Sequence, residues 1–276
     1  MKLVKNLLKW LLKKFGYDVI KIDSSVKRVV YCAHFRGHPF YCFKGDPLSE
    51  SVLTGNGWDN QLSEILEHKL KGSAHVVEIG ANIGTSFVTI ANNFPQLTFD
   101  CHEPVPQFFD LLKKNFENFK VTNVKLFNQI FGEKLNTKIA LNVGLGTAGA
   151  SELSHYQQNA GTLILDSMTL DHAYHQKEFK FLKLDVDGYE LPILKGGEQV
   201  LKKYRPYIFM EYSYKIMDSM GKSGYEILDF LSKLGYEKAE VWDSSGKFIK
   251  EVSQLSEIDS IARSCPHYAD ILLLPF

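Results

Sequence analysis

The sequence predicts an α/β fold, a mostly parallel sheet covered by helices, with an antiparallel strand at its end. Three observations lead there. Val76, Val77 and Ile79 form a short apolar run with little polar alternation, the pattern of a strand buried on both faces. The run ends in Gly80, Asn82 and Gly84 and passes into residues 85–93, which read as a helix; strand, Gly-rich turn and helix is the opening unit of a nucleotide-binding sheet. Strand-like and helix-like stretches then alternate to the end. There residues 238–242 and 268–275, with a turn at 243–246, read as an antiparallel pair.

The elements follow in order. Residues 1–28 hold eight basic and two acidic side chains, and Leu3, Leu7, Leu8, Trp10, Leu11 and Phe15 recur at helical spacing up to Gly16. Lys9, Lys13 and Lys14 interrupt any apolar core of a signal peptide. Two readings stay open for residues 1–15: a helix lying in a membrane interface, or one docked on its own domain or a partner. Residues 28–43 read as a hairpin around Arg36-Gly37-His38-Pro39, and 61–70 as a helix with Trp58 just before it. Residues 97–103 are the next strand, Pro106 opens a helix through 116, and 124–127 is the third strand. The turn-rich stretch 131–161, with a strand at 138–143, reads as an insertion over the sheet. Residues 179–186 are a fourth strand, 191–202 a helix, 207–212 a fifth strand and 225–234 a helix stopped by Gly235. The division expected is a basic helix and hairpin extension, 1–57, and a main domain, 58–276.

The turn's chemistry narrows the ligand. Its spacing is E-x-G-x-N-x-G, not the G-x-G-x-x-G of dinucleotide sites, and no G-x-x-x-x-G-K-[ST] loop is present. An acid in the turn repels a pyrophosphate and suits a ligand with an amino group. S-adenosylmethionine carries an ammonium, a sulfonium and no phosphate. Glu103 closes the second strand, where an acid can accept both ribose hydroxyls. The cofactor-binding candidates are Glu78, Gly80, Ala81, Asn82, Gly84, Thr85, Glu103, Pro104, Gln129 and Asp185. The bland alternative is a Gly turn in an ordinary α/β domain, with Glu103 solvated.

Four stretches then carry a resemblance: EIGANIG, HEPVPQFFDLLKKN, NVKLFNQIFGEK and FLKLDVDGYELPILKGGEQVL. Together, over roughly 58–214, they resemble the FkbM family of S-adenosylmethionine-dependent methyltransferases. The most specific part is Leu184-Asp-Val-Asp-Gly-Tyr-Glu190, where the family usually reads D-V-E-G-x-E; Asp187 stands in the Glu position. The resemblance implies a Rossmann-like class I methyltransferase sheet and O-methylation of a glycan or other hydroxylated metabolite.

A hydroxyl acceptor must lose a proton, so a base is expected at the methyl. Asp185 ends the fourth strand, Asp187 sits on the loop just past it and Glu211 ends the neighbouring strand; these are the catalytic candidates, with His102 or His155 next in line. Crowded acids raise each other's pKa, and a divalent metal bridging them is an alternative use that no spacing indicates. Blander roles stand beside these: Asp187 or Glu190 capping a helix, Glu211 paired with a Lys, Asp185 holding only the cofactor's amino group. The pairs His34/His38 and His172/His175 are weak metal candidates. An N-methyltransferase is the runner-up, although no Asn/Asp-Pro-Pro-[Phe/Tyr] follows the fourth strand. A non-catalytic scaffold in glycan assembly is a third reading.

Composition excludes other classes. The 276 residues are 45% hydrophobic and 23% charged with a net charge of zero, which implies a core and no general attraction to nucleic acid. The four cysteines lie far apart, so no zinc site or disulfide framework is expected, and a reducing cytoplasm is, with contact at the inner membrane face if residues 1–15 bind lipid. No run reaches the ~20 apolar residues of a membrane span. Oligomeric state is not legible.

Overall fold

Five apolar runs stack side by side into the parallel part of one sheet. The computed structural model describes residues 17–18, 29–54, 59–144, 148–152 and 162–275. The expected helix within 1–15, Trp58 and His155 lie outside the described residues.

The strands of this sheet are β4 (Ala74–Ile79), β5 (Leu97–His102), β6 (Val124–Phe127), β10 (Phe181–Leu184), β11 (Tyr207–Tyr212), β12 (Lys238–Asp243), β13 (Phe248–Val252) and β14 (Ala269–Leu274), in the order β13-β12-β14-β11-β10-β4-β5-β6. Strands β6 to β11 pair in parallel. β14 slips between β11 and β12 and is antiparallel to both, as the closing pair predicts. This is the Rossmann-like methyltransferase sheet. The chain enters at β4, steps outward to β5 and β6, then returns to the other side of β4 at β10. The strand order therefore reverses between β4 and β10, the point where ligands bind in such sheets. All four residues of β10 are buried, which fits a central strand covered on both faces.

Before this sheet lie β1 (Tyr17–Asp18), β2 (Val30–Phe35) and β3 (His38–Phe43), paired antiparallel. The hairpin turn is Arg36-Gly37, with φ of 47° and 83°, the two positive values a primed turn requires. The hairpin packs on helix α3 (Pro106–Asn118), where Asn115 exchanges hydrogen bonds with the Tyr41 backbone and also donates to Ile83 O at 2.8 Å. Helices α1 (Pro47–Leu53) and α2 (Leu62–Lys69) connect the hairpin to β4. Asp46 caps α1 through the Leu48 and Ser49 amides.

The insertion is a second sheet of β7 (Lys138–Val143), β8 (Ala148–Glu152) and β9 (Thr162–Asp166), ordered β8-β7-β9. The remaining helices are α4 (Leu170–Tyr174), α5 (Glu190–Lys195), α6 (Glu198–Tyr204), α7 (Tyr214–Ser219), α8 (Gly224–Lys233) and α9 (Ile258–Ser264).

Two expectations change. Residues 85–93 form consecutive turns ending in a short 3-10 helix, Ala91–Asn93, rather than an α-helix. Their hydrogen bonds mix spans, Val88 N to Gly84 O and Ile90 N to Phe87 O, and β-branched Val88, Thr89 and Ile90 favour helix poorly. The helix expected over 191–202 is two helices, broken at Gly196-Gly197. There the insertion's backbone comes so close that a Cβ on Gly196 would sit 2.1 Å from Gly132 O. Asp171, read beside His172 and His175 as a weak metal group, accepts from the Gln199 and Val200 amides and so caps α6.

The Gly196 contact is testable. Gly196→Ala should destabilise the protein by about 2–3 kcal/mol, since backbone must move to admit the methyl. Gly149→Ala, with nothing within 4 Å of the added Cβ, should change stability by less than about 0.5 kcal/mol. Urea denaturation of both variants checks this; equal stability would mean the 132–196 contact yields freely.

Candidate active site

The ends of β4 and β10 touch through backbone. Gly80 has φ of 91°, and a Cβ there would lie 1.8 Å from Asp185 O. The Gly80 and Ala81 amides both donate to His102 O at 3.0 Å, which fastens the turn to β5 as well. Gly84, at φ of 92°, leaves room for Phe116 and Leu112 of α3. The two glycines thus answer demands of the protein's own packing, and the turn that results opens onto a cavity.

Glu103 follows β5. Its carboxylate oxygens accept from the Asn82 amide at 2.9 Å and the Val105 amide at 2.7 Å. Burial pushes its pKa up to about 8, against the pull of these two bonds. Asn128 Nδ2 donates to the carbonyls of Glu103 and Pro104 and holds the loop that presents the acid.

The cavity, about 530 Å³ with its mouth, is lined by Gly80, Asn82, Glu103, Pro104, Gln129, Asp185 and Asp187. Apolar walls come from Ile79, Phe108 and Phe131, and its cover from Leu141, Ala148 and Ala150 of the insertion. Six of the cofactor-binding candidates therefore line one space. Ala81, Gly84 and Thr85 lie behind it. Glu78 is fully buried, 3.7 Å from Lys183 Nζ, with the Cys101 thiol as its other polar neighbour.

Of the catalytic candidates, Asp185 and Asp187 reach the cavity. Asp187 has φ of 52° and is followed by Gly188 at 92°, a tight turn that throws its side chain back toward the insertion. Burial, with Asp185 second, lifts its pKa to about 6, and the Ala148 amide opposes the shift. Glu190 accepts from the Gly188 amide at 3.1 Å and closes that turn; burial raises its pKa to about 7. Glu211 lies one strand along, directly opposite Asp270 in the β11–β14 register. Burial and the neighbouring acids hold both members of this pair well above the usual carboxylate range.

His102 is packed away from this chemistry. Its ring stacks on Phe127 at 4.8 Å, its Nε2 meets Tyr174 Oη at 2.7 Å, and burial lowers its pKa to about 3. His172 and His175 are exposed on and beside α4. Among the described residues no group of three His, Cys, Asp or Glu has metal-holding geometry.

Sequence reasoning missed Lys183, Asp59, Gln61 and Asp270. Lys183 Nζ lies 3.1 Å from Asp185 Oδ2 and 3.2 Å from Asp59 Oδ2, while Gln61 Nε2 donates to Asp270 Oδ2 at 2.7 Å. The visible signal was a Lys inside Phe-Leu-Lys-Leu, a run otherwise fit for a buried strand.

Residues 78–238 match the family model described as the methyltransferase FkbM domain, which covers more than half of the chain. The chain belongs to the FkbM methyltransferase family. No curated protein matches it. The fold is similar to a methyltransferase FkbM from Methylobacillus flagellatus, with 13% identity and a TM-score of 0.47 over 73% of this chain. The chain spans 44% of that protein's length. A TehB-like SAM-dependent methyltransferase from Corynebacterium glutamicum is 10% identical, TM-score 0.44, over 83% of this chain and 94% of the other. A methyltransferase from Streptococcus mutans in complex with SAH is 9% identical, TM-score 0.43, over 77% and 94%. The FkbM domain thus begins at Glu78 and ends at the first residue of β12, and it contains the whole wall of the cavity. The cavity therefore belongs to the methyltransferase domain itself.

The raised acids give the FkbM domain a definite pH dependence. A carboxyl whose folded pKa is raised contributes stability in full below its unfolded pKa and loses it as pH climbs through the folded value. For Glu190 the window runs from about 4.5 to about 7. Glu190→Gln keeps an oxygen for the Gly188 amide and removes the charge. It should match wild type at pH 5 and exceed it at pH 8 by about 1–3 kcal/mol. Urea denaturation at both pH values reads this; parallel curves would show that Glu190 does not titrate there.

Proposed function

We propose that this protein is an O-methyltransferase acting on a hydroxyl of a glycan or related hydroxylated metabolite. The observation that carries the reading is the meeting, in one cavity, of the clamped Glu103 on the β5 side and the acids Asp185 and Asp187 on the β10 side. The donor set fits S-adenosylmethionine. Backbone amides orient the Glu103 carboxylate toward a ribose, the apolar walls suit an adenine beside Gln129, and the acids favour a cationic ligand. When bound, that cofactor supplies a methyl already activated by sulfonium.

The chain's residues then divide the work. Asp185 and the turn hold the cofactor's amino acid end, which aligns methyl and acceptor. Asp187, with a pKa near 6, is largely ionised at neutral pH and takes the acceptor's proton. Glu211 and Asp270, both held above the usual carboxylate range, lie one strand along outside the cavity lining and are poor bases at that pH. The acid excess favours a second reading as well, an amine acceptor and N-methylation. Among the described residues no helix is long and apolar enough to cross a membrane. Contact of residues 1–15 with anionic lipid and a cytoplasmic location remain part of the proposal, supported by the basic charge of that segment.

Calorimetry with S-adenosylmethionine should show binding to wild type and a loss of about tenfold or more in Glu103→Ala, since leaving a buried ribose hydroxyl without its partner costs about 1–3 kcal/mol and about 1.4 kcal/mol is tenfold. Equal binding by both, or preference for NAD, sinks the cofactor assignment. Labelled cofactor tested against sugar, nucleotide-sugar and lipid-linked acceptors identifies the acceptor class. On any acceptor found, Asp187→Asn should reduce turnover by about 10²-fold with cofactor affinity unchanged. Wild-type turnover would place the base elsewhere.

A further inference from the structure

Lys183 sits on the innermost strand, between β4 and β11, with 2% of its side chain exposed. A lysine is almost never buried so fully without partners, and this one has three. Asp185 Oδ2 lies at 3.1 Å, Asp59 Oδ2 at 3.2 Å and Glu78 Oε1 at 3.7 Å. These acids come from the loop after β10, the segment before α2, and β4. Glu78 is its cross-strand neighbour in the β4–β10 register.

One buried cation facing three acids is more than an ion pair needs. The partners differ in what else they do. Glu78 is sealed in the sheet. Asp185 is 29% exposed and lines the cavity. Asp59 carries a segment: it has φ of 50°, receives Ser86 Oγ at 2.7 Å, and its carbonyl accepts from the Leu62 amide at the start of α2. Two residues on, Gln61 donates to Asp270, the partner of Glu211. Residues 59–61 are therefore held beside β10 and β14 by three side-chain contacts, from Ser86, Lys183 and Asp270, and Lys183 is the one shared with the cavity through Asp185.

We propose that Lys183 is a positioning residue for methyl transfer: its ammonium aims the Asp185 carboxylate into the cavity and, by gripping Asp59, fastens residues 59–61 beside β14. This rests on the methyltransferase reading above. Lys183 touches neither cofactor nor acceptor in this role. It couples one strand position to the cavity's Asp185 and to the segment before α2. A methionine of similar length would fill the same space and leave Asp185 and Asp59 to repel each other and turn away.

Four proteins test it: wild type, Asp59→Asn, Lys183→Met, and the double variant Lys183→Met with Glu78→Gln. The double variant removes the sealed acid that has no other cation, so it separates folding from positioning. Melting temperature, S-adenosylmethionine affinity by calorimetry, and amide hydrogen exchange are read on each. The double variant should recover most of the melting temperature lost by Lys183→Met, yet bind cofactor at least tenfold more weakly than wild type. Asp59→Asn should bind cofactor within twofold of wild type while amides of 59–62 exchange at least tenfold faster. If the double variant melts and binds like wild type, Lys183 is only a structural charge partner and the proposal falls. Exchange is read without ligand. If wild type binds no cofactor, the functional reading fails on its own; unchanged exchange at 59–62 and 185–188 in the Lys183 variants would then overturn the grip independently.

Discussion

Everything in the site depends on one close approach. The turns after β4 and β10 meet backbone to backbone, and the space between them admits a hydrogen on Gly80 and nothing larger. That contact sits where the strand order reverses. The two turns must diverge there to leave a crevice, yet stay joined at their base for the crevice to keep its shape. Gly80 satisfies both demands with its positive φ and absent side chain. His102 O, accepting the two amides beyond, ties the third strand end into the same knot. Glu103, next in the chain, is thereby delivered to the Asn82 amide.

Charge is the second constraint, and it works against stability. Asp59, Glu78, Asp185, Asp187, Glu211 and Asp270 gather near one side of the sheet with Lys183 as the cation among them. Burial and mutual repulsion push several of these carboxyls upward and keep some of them protonated near neutral pH. A cationic ligand entering such a place relieves repulsion that the fold otherwise bears. Strain of this kind belongs at functional sites, where ligand binding offsets it.

How much of this was legible follows from where the signals lie. β6, β7 and β11 could be read to the residue, because apolar runs bounded by Pro, Asn or Gly announce a strand locally. The Gly turn and Glu103 were legible for a related reason: spacing of a few residues within one strand–turn unit. The Lys183 network was not, since Asp59 and Lys183 are far apart in the chain and only the sheet brings them together. Glu78 looked like a turn acid facing a ligand, but the strand's alternation points it into the sheet beside Cys101 and Lys183. In the two misread helices a tertiary contact adds to what the local sequence does. In both, glycine serves a tertiary contact, Gly84 with α3 and Gly196 with Gly132, and local periodicity cannot register that.

The two sides of the cavity are built differently, and the difference bears on specificity. The cofactor side is made largely of backbone: the 80–82 turn, the amides on Glu103, the loop held by Asn128. Such a site tolerates change in side chains as long as the turns keep their φ values. The other side is made of Asp185, Val186 and Asp187 after β10 and of apolar side chains from the insertion, Leu141, Ala148 and Ala150. Asp187 is held by the Ala148 amide and Asp185 by Lys183, so an exchange there alters shape and charge without disturbing the strands. A cavity built this way keeps its backbone-made half while substitutions around Asp187 change the shape and charge of the other. Lys183 is the limit on that freedom, because it binds Asp185 of the cavity and Asp59 of the segment before α2 at once.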